Sequence, residues 1–286
     1  MGNFSRLPRD NANKKQVVFH NSKLKTQHSK LAVEDRVRKE VMRLSWFEVF
    51  QAKFYLCFID GDRFELFMLS GLKVTLQLTL FAVIIGLALG ALMALVRVTH
   101  DKTIGIMRPG PGRLLLKFFN GLCKVCITVV RGIPVVVQLM IWFFVVFATS
   151  RNGILIAIFG FGINSASYVT EIIRAGIMSV DGGQMEAGRS LGLNYIQTMR
   201  YIILPQAFKN VLPTLCNEFI VLLKETAVVG YIAVRDLTKG ADIIRGRTFE
   251  AFMPLIAAAL IYLVLVMILS WLFGKLERRL RASDTR

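Results

Sequence analysis

The chain has few of the residues that bind metals or perform catalysis, with four cysteines and three histidines in 286 residues. Cys123 and Cys126 have a metal-like spacing, but no second cysteine pair or histidine cluster completes four ligands. The sequence also lacks the Gly-x-x-x-x-Gly-Lys-Ser/Thr loop that cradles nucleotide phosphates. No acid, base and nucleophile converge near a membrane surface. We therefore predict a protein that is not an enzyme, holds no metal and binds no nucleotide itself.

Charge is also scarce, because charged residues make up only 19% of the chain while hydrophobic residues make up 54%. The apolar residues occur in blocks, several of them long enough to cross about 30 Å of hydrocarbon. The net charge of +17 is concentrated in the N-terminal tail and at the ends of these blocks. This distribution predicts an all-α integral membrane protein and no nucleic-acid partner.

Composition divides the chain into four segments. Residues 1–43 form a basic tail that we expect to be disordered, and we expect no removable signal peptide. Residues 44–65 form an interfacial amphipathic segment with aromatic side chains at three- and four-residue steps. Residues 66–275 hold the membrane domain, and residues 276–286 form a C-terminal tail. Five membrane spans are predicted, at about 66–95, 125–149, 154–178, 211–232 and 253–273.

Charge in the short loops predicts the orientation, since positive residues mark the cytoplasmic side. The connection after the first span, which includes Arg108, and the C-terminal tail are both basic. The connection after the fourth span mixes basic residues with acidic ones such as Asp242. With five spans, this places the N-terminus outside and the C-terminus in the cytoplasm.

A polar stretch between the third and fourth spans is the most informative feature of the sequence. It reads Glu186-Ala187-Gly188-Arg189-Ser190-Leu191-Gly192, followed nine residues later by Ile202-Ile203-Leu204-Pro205. Ala187 and Leu191 share one helical face, and Gly192 permits a sharp exit. Pro205 suits the start of the next helix, and Glu186 can favour a helix N-terminus. The stretch predicts a docking loop over about residues 183–205.

This stretch resembles the EAA loop of permease subunits of ABC importers, with Gly188 in place of the second alanine. The family pattern is Glu-Ala-Ala, three residues, Gly, nine residues, then Ile-x-Leu-Pro. The resemblance implies five transmembrane helices of the importer permease type and a cytoplasmic coupling helix that docks on an ATPase subunit. It assigns the docking role to Glu186, Ala187, Gly188, Leu191, Gly192, Leu204 and Pro205.

Other stretches are similar to the polar amino acid branch of this superfamily. They are Gly71-Leu-Lys-Val-Thr75-Leu, Arg131-Gly-Ile-Pro134-Val-Val-Val-Gln138, Tyr168-Val-Thr-Glu171-Ile-Ile-Arg174-Ala-Gly176, Gly183-Gln184 and Leu222-Leu-Lys224-Glu225-Thr226. Ile133 departs from the usual threonine. The resemblance implies a second permease subunit, identical or different, and an extracytoplasmic solute-binding protein. It also implies ATPase subunits that bind ATP and magnesium, and a location in a bacterial plasma membrane.

Ionisable residues within or near the spans point to a transport pathway, because such groups are costly in lipid unless they are paired or face a polar cavity. The candidates for the substrate pathway are Gln138, Glu171, Lys224 and Glu225. A zwitterionic amino acid requires both a cationic and an anionic partner, which such residues could supply. Glu171 and Arg174, three residues apart, could instead simply neutralise each other.

The sequence therefore predicts a non-catalytic permease subunit of an ATP-driven importer for polar amino acids. The alternative is an ion-coupled secondary transporter, which would explain the charges without an ATPase. The docking loop and the lack of inverted repeats count against it.

Overall fold

The computed structural model describes residues 45–150 and 152–281, and these residues are helical or in turns, without a β-strand. The predicted disordered tail and the last five residues lie outside the described residues. The chain divides at Tyr55 into two compact units. The α-helices are α1 (Trp46–Phe54), α2 (Ser70–Thr103), α3 (Pro111–Gly132), α4 (Val135–Ile141), α5 (Gly153–Met178), α6 (Gly182–Ser190), α7 (Tyr195–Thr198), α8 (Leu204–Glu225), α9 (Leu237–Thr248) and α10 (Phe252–Arg281). Six shorter helices lie between the α-helices: π-helical Tyr55–Ile59, Phe64–Leu69, Trp142–Val146 and Met199–Ile203, and 3-10 Asp60–Asp62 and Thr226–Ile232.

The described part of the first unit is the amphipathic helix α1. Ser45 and Glu48 form a capping box at its start, which satisfies two backbone amides. Trp46, Phe50 and Phe54 stack in sequence along one exposed face, with ring centroids 5.6 and 6.5 Å apart. The predicted amphipathic segment extended to residue 65, but α1 ends at Phe54. Phe58, which lies within the predicted segment, belongs to the second unit and is buried there.

Three helices of the second unit are long and apolar enough to cross a membrane, at Phe64–Thr103, Gly153–Met178 and Phe252–Leu280. These match the predicted first, third and fifth spans. A fourth crossing is formed if α3 and the helical segment Val135–Val146 count as one span, although they are bent by 106° at the break between them. The predicted fourth span falls on α8, which is not among the helices that are apolar enough to qualify; its crossing stays a prediction.

The predicted boundaries of two spans were wrong. Helix α3 begins at Pro111 and not near residue 125, because its first turns are amphipathic and escape a reading based on uniform hydropathy. The fourth predicted span, 211–232, is α8 from Leu204 followed by the 3-10 segment. The predicted C-terminal tail from residue 276 is helical as far as Arg281.

The centre of the second unit is the pairing of α2 with α5. Small residues allow close approach: a Cβ added at Gly86 would lie 2.8 Å from Ser165, and one at Gly90 would lie 2.6 Å from Val169. Two small residues four positions apart on α2 thus form a face on which another helix packs closely. Because both contacts advance in the same direction along the two helices, α2 and α5 run parallel. The end at which α5 leads into α6 is called the α6 end.

Helix α9 is fixed at the opposite end of α2 from the α6 end. Asp236, fully buried, caps α9 by accepting bonds from the backbone amides of Thr238 (3.1 Å) and Lys239 (2.9 Å). The amide of Leu237 donates to Thr75 Oγ1 of α2 at 3.1 Å. Tyr262 of α10 donates to the Asp236 carboxylate at 3.4 Å. This loop is therefore a packed element joined to two long helices.

Candidate functional site

The polar stretch after α5 forms a short exposed helix, α6. Its N-terminus is capped by Asp181, whose carboxylate accepts a bond from the amide of Gly183 at 2.7 Å. Gly192 has φ +81°, so the sharp exit predicted there is confirmed. Glu186 lies in the middle of the helix, and the N-terminal role that we predicted for it belongs to Asp181. Ala187 and Glu186 are exposed.

Helix α6 is held to the bundle through Gly188, its one buried residue. A Cβ on Gly188 would lie 2.5 Å from Thr198 Cγ2 and 2.9 Å from Thr198 Oγ1. The glycine that replaces the family's second alanine therefore allows α6 to pack directly on α7. Gln206 of α8 also donates to Gln184 Oε1 at 3.2 Å. Val98, Ile177 and Ile203 belong to one buried hydrophobic cluster.

Three exposed apolar residues of this loop, Leu191, Ile196 and Tyr201, define what we call the docking surface. Their side chains are 79%, 74% and 65% exposed. Leu204 and Pro205 begin α8, which confirms the helix start predicted from the proline. An exposed apolar surface on a polar loop is typical of a protein-binding site. The neighbouring Tyr195 phenol has a pKa raised by burial.

A polar cluster forms where α5 faces α8. Asn164 Nδ2 donates to Glu225 Oε2 at 3.4 Å, and Ser165 Oγ donates to Glu218 Oε1 at 3.2 Å. Glu218 and Glu225 are seven residues apart and lie on one face of α8. Arg131 of α3 lies 4.8 Å from the ring centroid of Tyr168 on α5 and acts electrostatically on Glu218. The two glutamates, called the carboxylate pair, thus have hydrogen-bond donors and a cation nearby.

The four predicted pathway residues do not lie together. Glu225 is in the polar cluster, and the adjacent Lys224 is exposed beside it in sequence. Gln138 is buried, and its Nε2 donates to the carbonyl oxygens of Val130 and Ile133, both at 2.6 Å. It therefore satisfies backbone acceptors at the break between α3 and α4, where Pro134 supplies no amide.

Glu171 lies in an ion network at the α6 end. Its carboxylate pairs with Arg174 at 3.0 Å and with Arg97 of α2 at 3.5 Å. Arg174 also pairs with Asp101 of α2 at 3.4 Å. The mutual neutralisation considered for Glu171 and Arg174 is present, and two residues of α2 extend it. This network joins α2 to α5, so Glu171 is occupied in a structural contact.

Sequence reasoning missed part of the polar cluster. Asn164 and Ser165 lie in an apolar helix and are uncharged, so neither a charge search nor a motif identified them. Their only signal is two adjacent polar residues within a membrane-length run. Arg131 and Glu218 are charged residues that are costly in a membrane, but only the fold shows that they lie near each other. Among the described residues, no group of three or more His, Cys, Asp or Glu side chains is arranged to hold a metal ion.

Comparison with known families and relatives is consistent across the chain. Residues 86–282 match the family described as binding-protein-dependent transport system inner membrane component. The chain is 37% identical over 223 residues to the putative glutamine transport system permease protein GlnP of Rickettsia bellii, covering 76% of this chain and 94% of the relative. It is 38% identical over 221 residues to the arginine transport system permease protein ArtQ of Bacillus subtilis, with the same coverage.

Two solved structures are also similar. A crystal structure of an amino acid ABC transporter with histidines has 41% sequence identity and a TM-score of 0.67, covering 78% of this chain and 98% of that one. An inward-facing structure of the MetNI methionine ABC transporter has 20% identity and a TM-score of 0.62, covering 77% of this chain and 99% of that one. The second likeness concerns the fold alone.

Proposed function

Because the chain belongs to the family of binding-protein-dependent transport system inner membrane components, we propose that it is the permease subunit of an ATP-driven importer for polar amino acids. It is a multi-pass membrane protein and does not itself catalyse a reaction. The observation that carries the proposal is α6: a short exposed helix between two long helices, packed on the bundle through Gly188. Relatives that are named glutamine and arginine permeases support an amino acid substrate.

The docking surface binds the ATPase subunit. Leu191, Ile196 and Tyr201 present exposed apolar side chains to the partner, while Gly188 packs α6 on Thr198. A force on α6 reaches α5 directly, since only residues 179–181 separate the two helices. Movement of the docking surface can therefore tilt α5 and the α2 helix packed on it. ATP and magnesium bind to the ATPase, and no role in hydrolysis falls to this chain.

The substrate is recognised at the polar cluster. A zwitterionic amino acid carries an ammonium group and a carboxylate, and each gains most from an opposite charge in a site partly shielded from water. Glu218 and Glu225 provide the anions, Arg131 provides a cation, and Asn164 and Ser165 orient the carboxylates. Lys224, on the exposed side of α8, is a second cation for the carboxylate.

The complex contains a second permease subunit, two ATPases and an extracytoplasmic solute-binding protein, in a bacterial plasma membrane. The N-terminus lies outside and the C-terminus in the cytoplasm. The α6 end is then the cytoplasmic end, and α9 with Asp242 faces the outside. An impermeant thiol reagent added to intact cells should modify a cysteine introduced at position 242 and spare one at position 108. Labelling only at position 108 would invert the orientation and remove α6 from the ATPase.

Reconstitution tests the proposed function. The permease, its ATPase and its binding protein are incorporated in vesicles, and uptake of L-glutamine, L-arginine and L-glutamate is measured with and without ATP. We expect uptake of at least one of them that requires ATP, the ATPase and the binding protein together. Glu225→Gln should reduce this uptake while copurification with the ATPase is retained. Uptake driven by a sodium or proton gradient without the ATPase would instead support the ion-coupled transporter, which the comparisons do not favour.

A further inference from the structure

The exposed surface of α3 has two chemically different sectors. One sector is apolar, and its exposed residues are Leu114, Phe118, Leu122, Val125 and Val129. The other carries Lys117, Lys124 and Arg131, all of them exposed, with Thr128 between the last two. A seven-residue spacing drifts by only about 20° per step on a helix, so these three cations lie in one line. We call this line the cationic stripe.

The cationic stripe does not fit a surface covered by lipid. Lysine and arginine within a membrane segment face the bundle interior or a water-filled cavity, because exposure to hydrocarbon is costly. None of the three side chains forms an ion pair with another residue in the part of the chain that the structure describes. The apolar sector can face lipid while the stripe faces water.

The stripe extends from the polar cluster toward the α6 end. At one end, Arg131 lies over Tyr168 and acts on Glu218 of the carboxylate pair. Further along, the start of α3 at Pro111 follows the end of α2 at Thr103 after a connection of only seven residues, so it lies near that end of α2. Arg97 belongs to the ion network that joins α2 and α5 at the α6 end. Lys124 and Lys117 therefore follow Arg131 in the direction that leads away from the carboxylate pair.

We propose that the cationic stripe lines the inner part of the translocation pathway and attracts the carboxylate of the amino acid as it leaves the polar cluster. The glutamates hold the ammonium group, and successive cations offer the carboxylate weaker, solvated positions on the way to the α6 end. Conduction needs sites that bind well enough to admit a solute and weakly enough to release it. The inference rests on the proposed function, because it assumes that the substrate is an amino acid and that it is released into the cytoplasm at the α6 end.

The test uses the complete complex of permease, ATPase and loaded binding protein in vesicles of phosphatidylcholine, with L-glutamine and L-arginine as probes. The variants are Lys124→Gln, Lys124→Arg and, as the matched control, Lys275→Gln, which removes a cation that stacks on Trp271 of α10. We expect Lys124→Gln to lower the turnover of uptake about fivefold, consistent with loss of a solvated charge-assisted contact. The KM for the loaded binding protein and the basal ATPase rate should not change.

Four further results belong to the same expectation. Lys124→Arg should keep most of the turnover, and Lys275→Gln should keep all of it. Raising the salt concentration on the α6 side should narrow the difference between wild type and Lys124→Gln, since exposed charges are screened within about 8–10 Å at physiological ionic strength. Copurification with the ATPase should be equal in every variant. A purely structural role for Lys124 would not produce the salt dependence.

Wild-type turnover in Lys124→Gln, or an equal loss in Lys275→Gln, would overturn the inference while leaving the proposed function intact. A loss that is seen only in vesicles containing an anionic phospholipid would assign the stripe to lipid headgroups and overturn it too. ATP-dependent uptake of neither amino acid by the wild-type complex would instead overturn the proposed function, and the inference with it.

Discussion

Adding one methyl group at Gly188 tests how α6 is held to the bundle. Alanine in the middle of a helix is favoured over glycine by about 1 kcal/mol, so Gly188→Ala would stabilise an isolated α6. In the folded protein the new Cβ would lie 2.5 Å from Thr198 Cγ2, where an ordinary contact between carbon atoms is about 3.5–4.0 Å. One of the two helices must therefore move.

Thr198 has little freedom to move away from the new methyl group. It is fully buried, and its hydroxyl donates to the carbonyl of Asn194 at 3.0 Å. Overpacking of this kind costs about 1–3 kcal/mol. Because this cost exceeds the gain in helix propensity, we expect Gly188→Ala to weaken the packing of α6 by about 1–2 kcal/mol. The alanine that the related loop pattern carries at this position should therefore be harmful in this chain.

Amide hydrogen exchange of the peptide that contains residues 182–190 measures this effect. A loss of about 1.4 kcal/mol should accelerate exchange about tenfold, because local opening exposes these amides. Gly182→Ala is the matched control, since a Cβ there meets no atom within 4 Å, and it should leave exchange unchanged or slower. Thr198→Ser removes the offending methyl while it keeps the hydroxyl, so it should restore much of the protection in the double variant.

Unchanged or slower exchange in Gly188→Ala would refute this reasoning, because it would mean that α6 does not pack on Thr198. Additive effects of Gly188→Ala and Thr198→Ser would refute it as well, since residues in contact should show a coupling energy of about 0.5–3 kcal/mol. In the reconstituted complex, the same Gly188→Ala variant should lower substrate-stimulated ATP hydrolysis without preventing membrane insertion.

Three other predictions follow from named contacts. Gly192 has φ +81° and open space around it. Gly192→Val should therefore weaken coupling to the ATPase by about 1–3 kcal/mol through backbone strain alone, while Gly192→Asn should be tolerated. Normal ATPase stimulation in the valine variant would contradict this. Burial raises the pKa of Asp236, so the folded protein holds this proton more tightly than the unfolded chain does. The stability that Asp236 contributes is therefore complete below its unfolded pKa, and it is lost as the pH rises through the raised pKa of the folded state. We therefore expect the melting temperature in detergent to fall between pH 4, which is about the unfolded pKa, and pH 7, and to fall less in Asp236→Asn than in wild type. Asparagine keeps the helix cap. An equal fall in the two proteins would contradict the assignment. Glu171→Gln leaves Arg97 and Arg174 without their shared carboxylate and should lower the melting temperature. Lys224→Met should instead reduce uptake and leave the melting temperature unchanged. The reverse pattern would make Glu171 a pathway residue.

The helical class and the docking loop could be predicted from the sequence because each depends on local information. Membrane-length apolar runs identify helices without knowledge of their neighbours, and the spacing from Glu186 to Pro205 fixes a loop between two of them. Gly192 was predicted correctly because a positive φ is a property of the residue and its turn. Helix α3 was predicted too short, since half of it is amphipathic and resembles a loop when only mean hydropathy is considered.

Partner assignments could not be predicted in the same way. Whether Glu171 contacts substrate or an arginine depends on Arg97, which is distant in sequence and reaches it only because α2 and α5 run parallel. Gln138 carries a hydrogen-bonding side chain that could face a solute, but the break at Pro134 leaves carbonyl groups that it satisfies. The polar cluster requires three helices to meet, and no local pattern specifies that Asn164 will face Glu225.

Cross-linking at Leu191 tests the central claim, that α6 is the contact with the ATPase, most directly. The four native cysteines are replaced, and single cysteines are introduced by Leu191→Cys on the docking surface and by Tyr231→Cys, which is also well exposed but lies near α9. A short bifunctional thiol reagent is then added to the complex with the ATPase. We predict a permease–ATPase product for Leu191→Cys, with a yield that changes when ATP is bound, and none for Tyr231→Cys. No product at position 191, or an equal yield at position 231, would contradict the account.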